Sequence, residues 1–216
     1  MDLRLCIEHT LLKQDATKAG FIKLFDEAKE NSFFGVCVPP FWVKEAKEYL
    51  KNTNIKIVTV IGFPLGANLP EVKAFEAQEA IKDGADEIDM VLNVSALKSK
   101  AWDAVLEDIE AVKKACGDKK LKVILETDLL SKDEIEKACL LCIEGKADFV
   151  KTSTGFVKNG VGAKTEDVAL MAKIVKPYGM GVKASGGIKT RGQALELLKA
   201  GADRLGTSSG VEIVKG

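Results

Sequence analysis

The sequence predicts an α/β protein, a single (β/α)8 barrel over residues 1–216, and three observations carry that expectation. Short apolar, β-branched runs alternate with amphipathic stretches from end to end; the runs number eight; and a tripeptide ending in Ala-Asp recurs where a helical stretch hands over to the next run.

The candidate strands are Leu3 to Ile7, Gly35 to Val38, Ile55 to Ile61, Glu87 to Leu92, Lys122 to Leu125, Phe149 to Lys151, Gly181 to Lys183 and Arg204 to Gly206. Between them, apolar residues recur at helical spacing in Ala16 to Glu30, Val43 to Lys51, Glu71 to Lys82, Ala104 to Ala115, Lys132 to Cys142, Glu166 to Val175 and Gly192 to Lys199, and a short helix is expected after Ser209. The junctions Gly84-Ala85-Asp86, Lys146-Ala147-Asp148 and Gly201-Ala202-Asp203 each close a helix and open a strand, with glycine suited to a left-handed helix end. Few strands have a clean polar face, so they are read as parallel and covered by helices, either closed as a barrel or open and doubly wound. Count and length favour closure, and the absence of a Pro-, Gly- or Ser-rich linker favours one domain.

The charge balance, 32 basic against 32 acidic side chains, excludes bulk electrostatic attraction to nucleic acid or a membrane surface. No basic start precedes a long apolar stretch, and no segment reaches spanning length, so a cytoplasmic protein is expected. Five cysteines scattered through apolar segments read as reduced, buried thiols rather than a disulfide framework. Cys139 and Cys142 have C-x-x-C spacing but fall in the helical run Glu134 to Ile143, without a second pair and with a single histidine in the chain, so no metal site is expected.

Barrel enzymes work at the C-terminal strand ends, and there two apolar strands run into lysine: Val150-Lys151-Thr152-Ser153-Thr154-Gly155 and Val182-Lys183-Ala184-Ser185-Gly186-Gly187. A buried ammonium loses its hydration, so two on adjacent strands call for a reason, and amine catalysis supplies one. Free lysine is neutral in about one molecule in 2,500 at pH 7; burial and a second ammonium both shift it toward the nucleophilic amine, the role expected for Lys151 beside Lys183. In Glu87-Ile88-Asp89-Met90-Val91, Glu87 and Asp89 share one face, so Asp89 is expected to point inward and move protons. Ser185-Gly186-Gly187 and Gly206-Thr207-Ser208-Ser209-Gly210 follow the last two strands, where barrels hold phosphate on backbone N–H groups. His9 is expected to be structural, Cys37 a small buried residue at the pocket wall, and Gly62-Phe63-Pro64-Leu65-Gly66 a rim loop.

With these motifs in place, the sequence resembles the deoxyribose-phosphate aldolase family over essentially its whole length. The likeness is carried by Glu8-His9-Thr10-Leu11-Leu12, Val36-Cys37-Val38-Pro39, Thr59-Val60-Ile61-Gly62-Phe63-Pro64, Asp86-Glu87-Ile88-Asp89, Phe149-Val150-Lys151-Thr152-Ser153-Thr154-Gly155-Phe156 and Val182-Lys183-Ala184-Ser185-Gly186-Gly187. The resemblance implies cofactor-free, metal-independent cleavage of a small sugar phosphate, 2-deoxy-D-ribose 5-phosphate, with Lys151 as the Schiff-base lysine and Lys183 and Asp89 as its proton relay. It also implies phosphate binding at Gly155, Gly186, Gly187, Gly206, Ser208 and Ser209, with Lys189 adding charge, and a homodimer; Cys37 and Thr154, from their places at the ends of the second and sixth strands, are expected to line the pocket. Glu8 stands where many relatives have aspartate. Another class I aldolase acting on a phosphorylated substrate, or a catalytically silent phosphate-binding barrel serving as a scaffold, are the alternatives.

Overall fold

A computed structural model describes residues 2–216. Eight parallel strands are hydrogen-bonded in sequence order and close on themselves: β1 (Ile7–Thr10), β2 (Gly35–Val38), β3 (Lys56–Ile61), β4 (Glu87–Val91), β5 (Lys120–Ile124), β6 (Phe149–Lys151), β7 (Gly181–Ser185) and β8 (Arg204–Thr207). Around them lie α1 (Lys18–Asn31), α2 (Val43–Tyr49), α3 (Pro70–Lys82), α4 (Val94–Lys98), α5 (Trp102–Cys116), α6 (Lys132–Glu144), α7 (Thr165–Val175), α8 (Arg191–Ala200) and α9 (Gly210–Lys215).

The first strand starts later than expected. Leu3–Cys6 is a turn of 3-10 helix, because the Asp2 side chain accepts the Arg4 N–H at 3.1 Å and caps it. The strand proper is therefore Ile7–Thr10, which places Glu8 in the barrel wall. The five-residue α4 was not anticipated; Asn93 caps it by accepting from the Ala96 N–H at 3.0 Å.

At the three Ala-Asp junctions the backbone is left-handed, at Gly84 (φ 113°), Lys146 (φ 57°) and Gly201 (φ 118°). The aspartates then do more than open a strand. Asp86, Asp148 and Asp203 donate their N–H groups to the carbonyls of Ile57, Leu121 and Val182, at 2.7, 2.9 and 2.7 Å. Their carboxylates accept from the N–H groups of those same three residues, at 2.9, 2.8 and 2.8 Å. Each aspartate thus staples the base of its own strand to the strand before it, at the β3/β4, β5/β6 and β7/β8 pairs.

Apolar packing divides in two. Outward strand residues such as Ile88, Met90, Leu121, Val123 and Val150 meet the helices in the main core. Inside the barrel a smaller cluster of Cys37, Val58 and Val60 fills the β2–β3 side, Val91 and Ile124 lie on the same face as Asp89 and Lys122, and an ionic network occupies the space between them. Behind β4, Lys73 on α3 is fully buried and donates to the Val91 carbonyl at 3.0 Å and to Asp108 of α5 at 2.5 Å. Burial pushes the Lys73 ammonium down and the Asp108 carboxyl up, each against its partner's pull. Among the described residues no helix is long and apolar enough to cross a membrane.

Candidate active site

Parallel pairing sets the geometry. Lys151 of β6 is in register with Lys183 of β7, and Asp89 of β4 with Lys122 of β5, so each pair shares a face of the sheet. That face is the barrel interior, where all four side chains are buried.

Asp89 is the hub. Its Oδ2 accepts from Lys151 Nζ at 2.8 Å and from Lys183 Nζ at 2.7 Å, while Oδ1 accepts from Lys122 Nζ at 2.9 Å. Lys183 also pairs with Glu8, and Lys122 reaches Glu87 at 2.6 Å and Glu8 at 3.5 Å. Three ammonium groups face three carboxylates, so the network is neutral when every member is charged. Lys122, and Glu8 and Glu87 as ion partners, were not foreseen from sequence.

Burial raises the Asp89 carboxyl, but Lys122, Lys151 and Lys183 together reverse that and hold it well below the usual carboxylate range. For Lys183, burial works against the charge, yet Asp89 and Glu8 push it above the ordinary lysine range; the same balance raises Lys122. Lys183 is therefore a fixed cation 2.7 Å from the carboxylate that Lys151 also uses. Lys151 differs from both neighbours: Asp89 is its one ion partner within 4 Å among the described residues, and its side chain lines a cavity.

This cavity, of about 230 Å³, opens at the C-terminal strand ends. Ser153, Thr154 and Gly155 wall it after β6, Gly186 and Gly187 after β7, and Gly206 and Ser208 at the end of β8. Leu11, Leu12 and Lys13, after β1, face them, and Lys189 lies at the margin. Gly187 has φ 73°, and a Cβ there would sit 2.4 Å from the Val161 carbonyl, so only glycine lets the two loops approach. Gly206 is small for a different reason: a Cβ would lie 3.0 Å from Lys183 Cε, so the gap in β8 accommodates the lysine.

Two expectations about the wall are corrected. Cys37 is fully buried in the barrel against Val58 and Val60, as a small apolar residue, and is not among the residues that line the cavity. Ser209 is also off the wall; its N–H turns back to Thr207 Oγ1 at 2.9 Å as the chain enters α9. Thr154 is on the wall and tethered from behind by Glu126, which accepts its N–H at 3.0 Å and its hydroxyl as well. Ser153, passed over in the sequence, is 2% exposed with a hydroxyl oxygen that has no partner among the described residues, on the wall beside Lys151.

His9 is buried against Phe33, and its Nε2 meets Glu27 at 2.8 Å, a packing role. All five cysteines are free and buried, with Cys139 and Cys142 on the inner face of α6. Among the described residues no group of three or more His, Cys, Asp or Glu side chains is arranged to hold a metal ion.

Comparison with known proteins places the whole chain in one family. The model of the DeoC/LacD family of aldolases matches residues 1–216. The chain is 56% identical to deoxyribose-phosphate aldolase 1 of Mesoplasma florum over 216 residues, covering 100% of this chain and 97% of that one. It is 57% identical to the deoxyribose-phosphate aldolase of Mannheimia succiniciproducens over 210 residues, covering 97% and 92%. Among solved structures, the tetrameric deoxyribose phosphate aldolase of Aeropyrum pernix superposes with a TM-score of 0.90 at 35% identity, covering 99% of this chain and 89% of that one. A charge-balanced barrel interior, a lysine exposed to a cavity at the strand tops and a full-length family match agree, and the chain belongs to the DeoC/LacD family of aldolases.

Proposed function

We propose that this chain catalyses the reversible cleavage of 2-deoxy-D-ribose 5-phosphate to D-glyceraldehyde 3-phosphate and acetaldehyde, through a Schiff base on Lys151. The observation that carries the reading is the asymmetry among the three lysines around Asp89: Lys122 and Lys183 are each pinned by at least two carboxylates, whereas Lys151 has one among the described residues and meets the cavity. The relatives' activity supports the choice of substrate.

The chemistry follows from the positions. Lys151 Nζ adds to the C1 carbonyl and water leaves, giving an iminium ion that withdraws electrons from C2. Loss of the proton from the C3 hydroxyl breaks the C2–C3 bond, releases glyceraldehyde 3-phosphate and leaves an enamine. Protonation at C2 and hydrolysis free acetaldehyde and the amine. Lys183 keeps positive charge beside the reacting amine, and Asp89, held ionised, orients both lysines and relays protons through water as Lys151 changes charge. The iminium is itself the electron sink, so the mechanism calls on no metal or cofactor.

Gly155, Gly186, Gly187, Gly206 and Ser208 hold the substrate phosphate on N–H and hydroxyl groups, with Lys189 adding charge. We place the chain in the cytoplasm, in deoxyribonucleoside breakdown, as one domain; its five unpaired thiols suit a reducing compartment. A homodimer is the assembly we expect, supported by the exposure of Phe41, Leu65, Leu69 and Phe75.

The test is borohydride reduction in the presence of deoxyribose 5-phosphate, followed by peptide mapping. A mass increase on the peptide holding Lys151, absent from Lys151→Ala along with turnover, is expected; an unmodified Lys151 overturns the proposal.

A further inference from the structure

We infer that Glu126 and Asp128 are positioning residues for the phosphate end of the cavity, clamping the loop after β6 at its two ends; this rests on the aldolase reading above. Neither side chain touches the cavity, and both lie on the segment that follows β5.

Glu126 is 4% exposed and has φ 61° and ψ 61°, a left-handed conformation that residues other than glycine adopt only at an energetic cost. Strained, buried carboxylates persist where surrounding structure demands them. Both carboxylate oxygens of Glu126 are spent on one residue three positions beyond Lys151: Oε1 accepts the Thr154 N–H at 3.0 Å and Oε2 its hydroxyl. Thr154 Oγ1 in turn accepts the Phe156 N–H at 3.1 Å, which fixes the backbone on either side of Gly155.

Asp128 grips the other end of the same loop. It accepts the Gly162 N–H at 2.7 Å and pairs with Lys164 at 3.2 Å. Gly160 packs so closely that a Cβ there would lie 2.8 Å from the Asp128 carboxylate. Between the anchors the loop crosses the β7 loop, where the Ala163 N–H donates to the Gly186 carbonyl at 3.0 Å. Gly155, Gly186 and Gly187, the backbone part of the proposed phosphate site, are thereby held relative to one another by carboxylates that are not on the cavity wall. Backbone donors stabilise an anion only if they are fixed in place before it arrives.

The experiment compares wild type, Glu126→Ala, Glu126→Gly, Glu126→Gln and Asp128→Asn on deoxyribose 5-phosphate and on unphosphorylated 2-deoxyribose, with inorganic phosphate as a competitive probe. For E126A and E126G the KM for the phosphorylated sugar and the inhibition constant of inorganic phosphate are expected to rise about tenfold, with kcat/KM for unphosphorylated deoxyribose within about twofold of wild type. E126Q, which retains one acceptor and one donor for Thr154, is expected to recover most of the loss, and D128N to show a smaller effect of the same kind. Borohydride trapping of acetaldehyde on Lys151 is expected at wild-type yield in every variant. Equal loss on both sugars, or no change in phosphate affinity, overturns the clamp. Failure of wild type to trap acetaldehyde at all instead overturns the aldolase reading. E126G, in which the residue suits left-handed backbone, and D128N carry the test if E126A does not fold.

Discussion

Lys122 gives the sharpest check on the ionic interior. It sits 2.6 Å from Glu87, 2.9 Å from Asp89 and 3.5 Å from Glu8, all buried. Replacing it with methionine keeps the volume and leaves two ammonium groups facing three carboxylates. Removing one member of a buried ion pair costs about 3–5 kcal/mol, because the surviving charge has no water to turn to. In a chain of this length roughly 1 kcal/mol corresponds to 2–4 °C, so a fall in Tm of roughly 6–20 °C is expected by calorimetry. The pH dependence has a definite sign. A carboxylate left without its cation takes up a proton more readily in the folded state than in the unfolded chain, so the stability of K122M falls as pH rises and its deficit is larger at about pH 8.5 than at about pH 5.5. Glu87→Gln in the same chain restores the count to two against two and is expected to recover more than half of the loss. A Tm within about 3 °C of wild type, or a double variant no better than the single one, refutes the view that charge balance holds this interior together.

Other outcomes follow from the same geometry. Lys183→Leu is expected to lower kcat by about 10²–10⁴-fold while leaving a trappable Lys151, read by steady-state kinetics beside adduct mapping. Gly206→Ala drives a methyl to 3.0 Å from Lys183 Cε and Ser185 Cβ, and about 1–3 kcal/mol of overpacking with reduced turnover is expected from denaturant unfolding and assay. Lys73→Met alone is expected to cost about 3–5 kcal/mol, and Lys73→Met with Asp108→Leu far less, since the pair is more tolerable absent than broken. Burial pushes the Cys116 and Cys139 thiols up to about 12, so Ellman's reagent is expected to react slowly with them until the chain is unfolded. These thiols stabilise the fold fully below the pH at which the unfolded chain ionises, about 8.5, and that contribution is lost progressively as pH climbs from there toward about 12, visible as alkaline loss of Tm.

Much of the barrel is legible in the sequence because its strands are buried on both faces and read as compact apolar runs. The Lys151 and Lys183 pair is legible for a related reason: a long cation ending such a run contradicts its surroundings. Lys122 escapes the same logic because Lys120, two residues earlier on the same side of the strand, is exposed, and the pair imitates an ordinary wet face. Glu8 was hidden by the misplaced first strand: Leu3 to Ile7 carries strand-like alternation, but a side-chain cap at Asp2 diverts it into a helical turn. Glu126 is invisible to pattern reading altogether, since its significance lies in a backbone conformation and a partner 28 positions away.

The three aspartate staples all lie at the end of the barrel opposite the cavity, bonding backbone to backbone and carboxylate to backbone without using a single substrate-facing group. Foundation and workshop are therefore independent floors of one building. Loops at the upper floor are free to be lengthened, exchanged or redesigned for new aldehydes while the lower floor keeps strand register, and damage at the lower floor should appear as lost protein rather than altered selectivity.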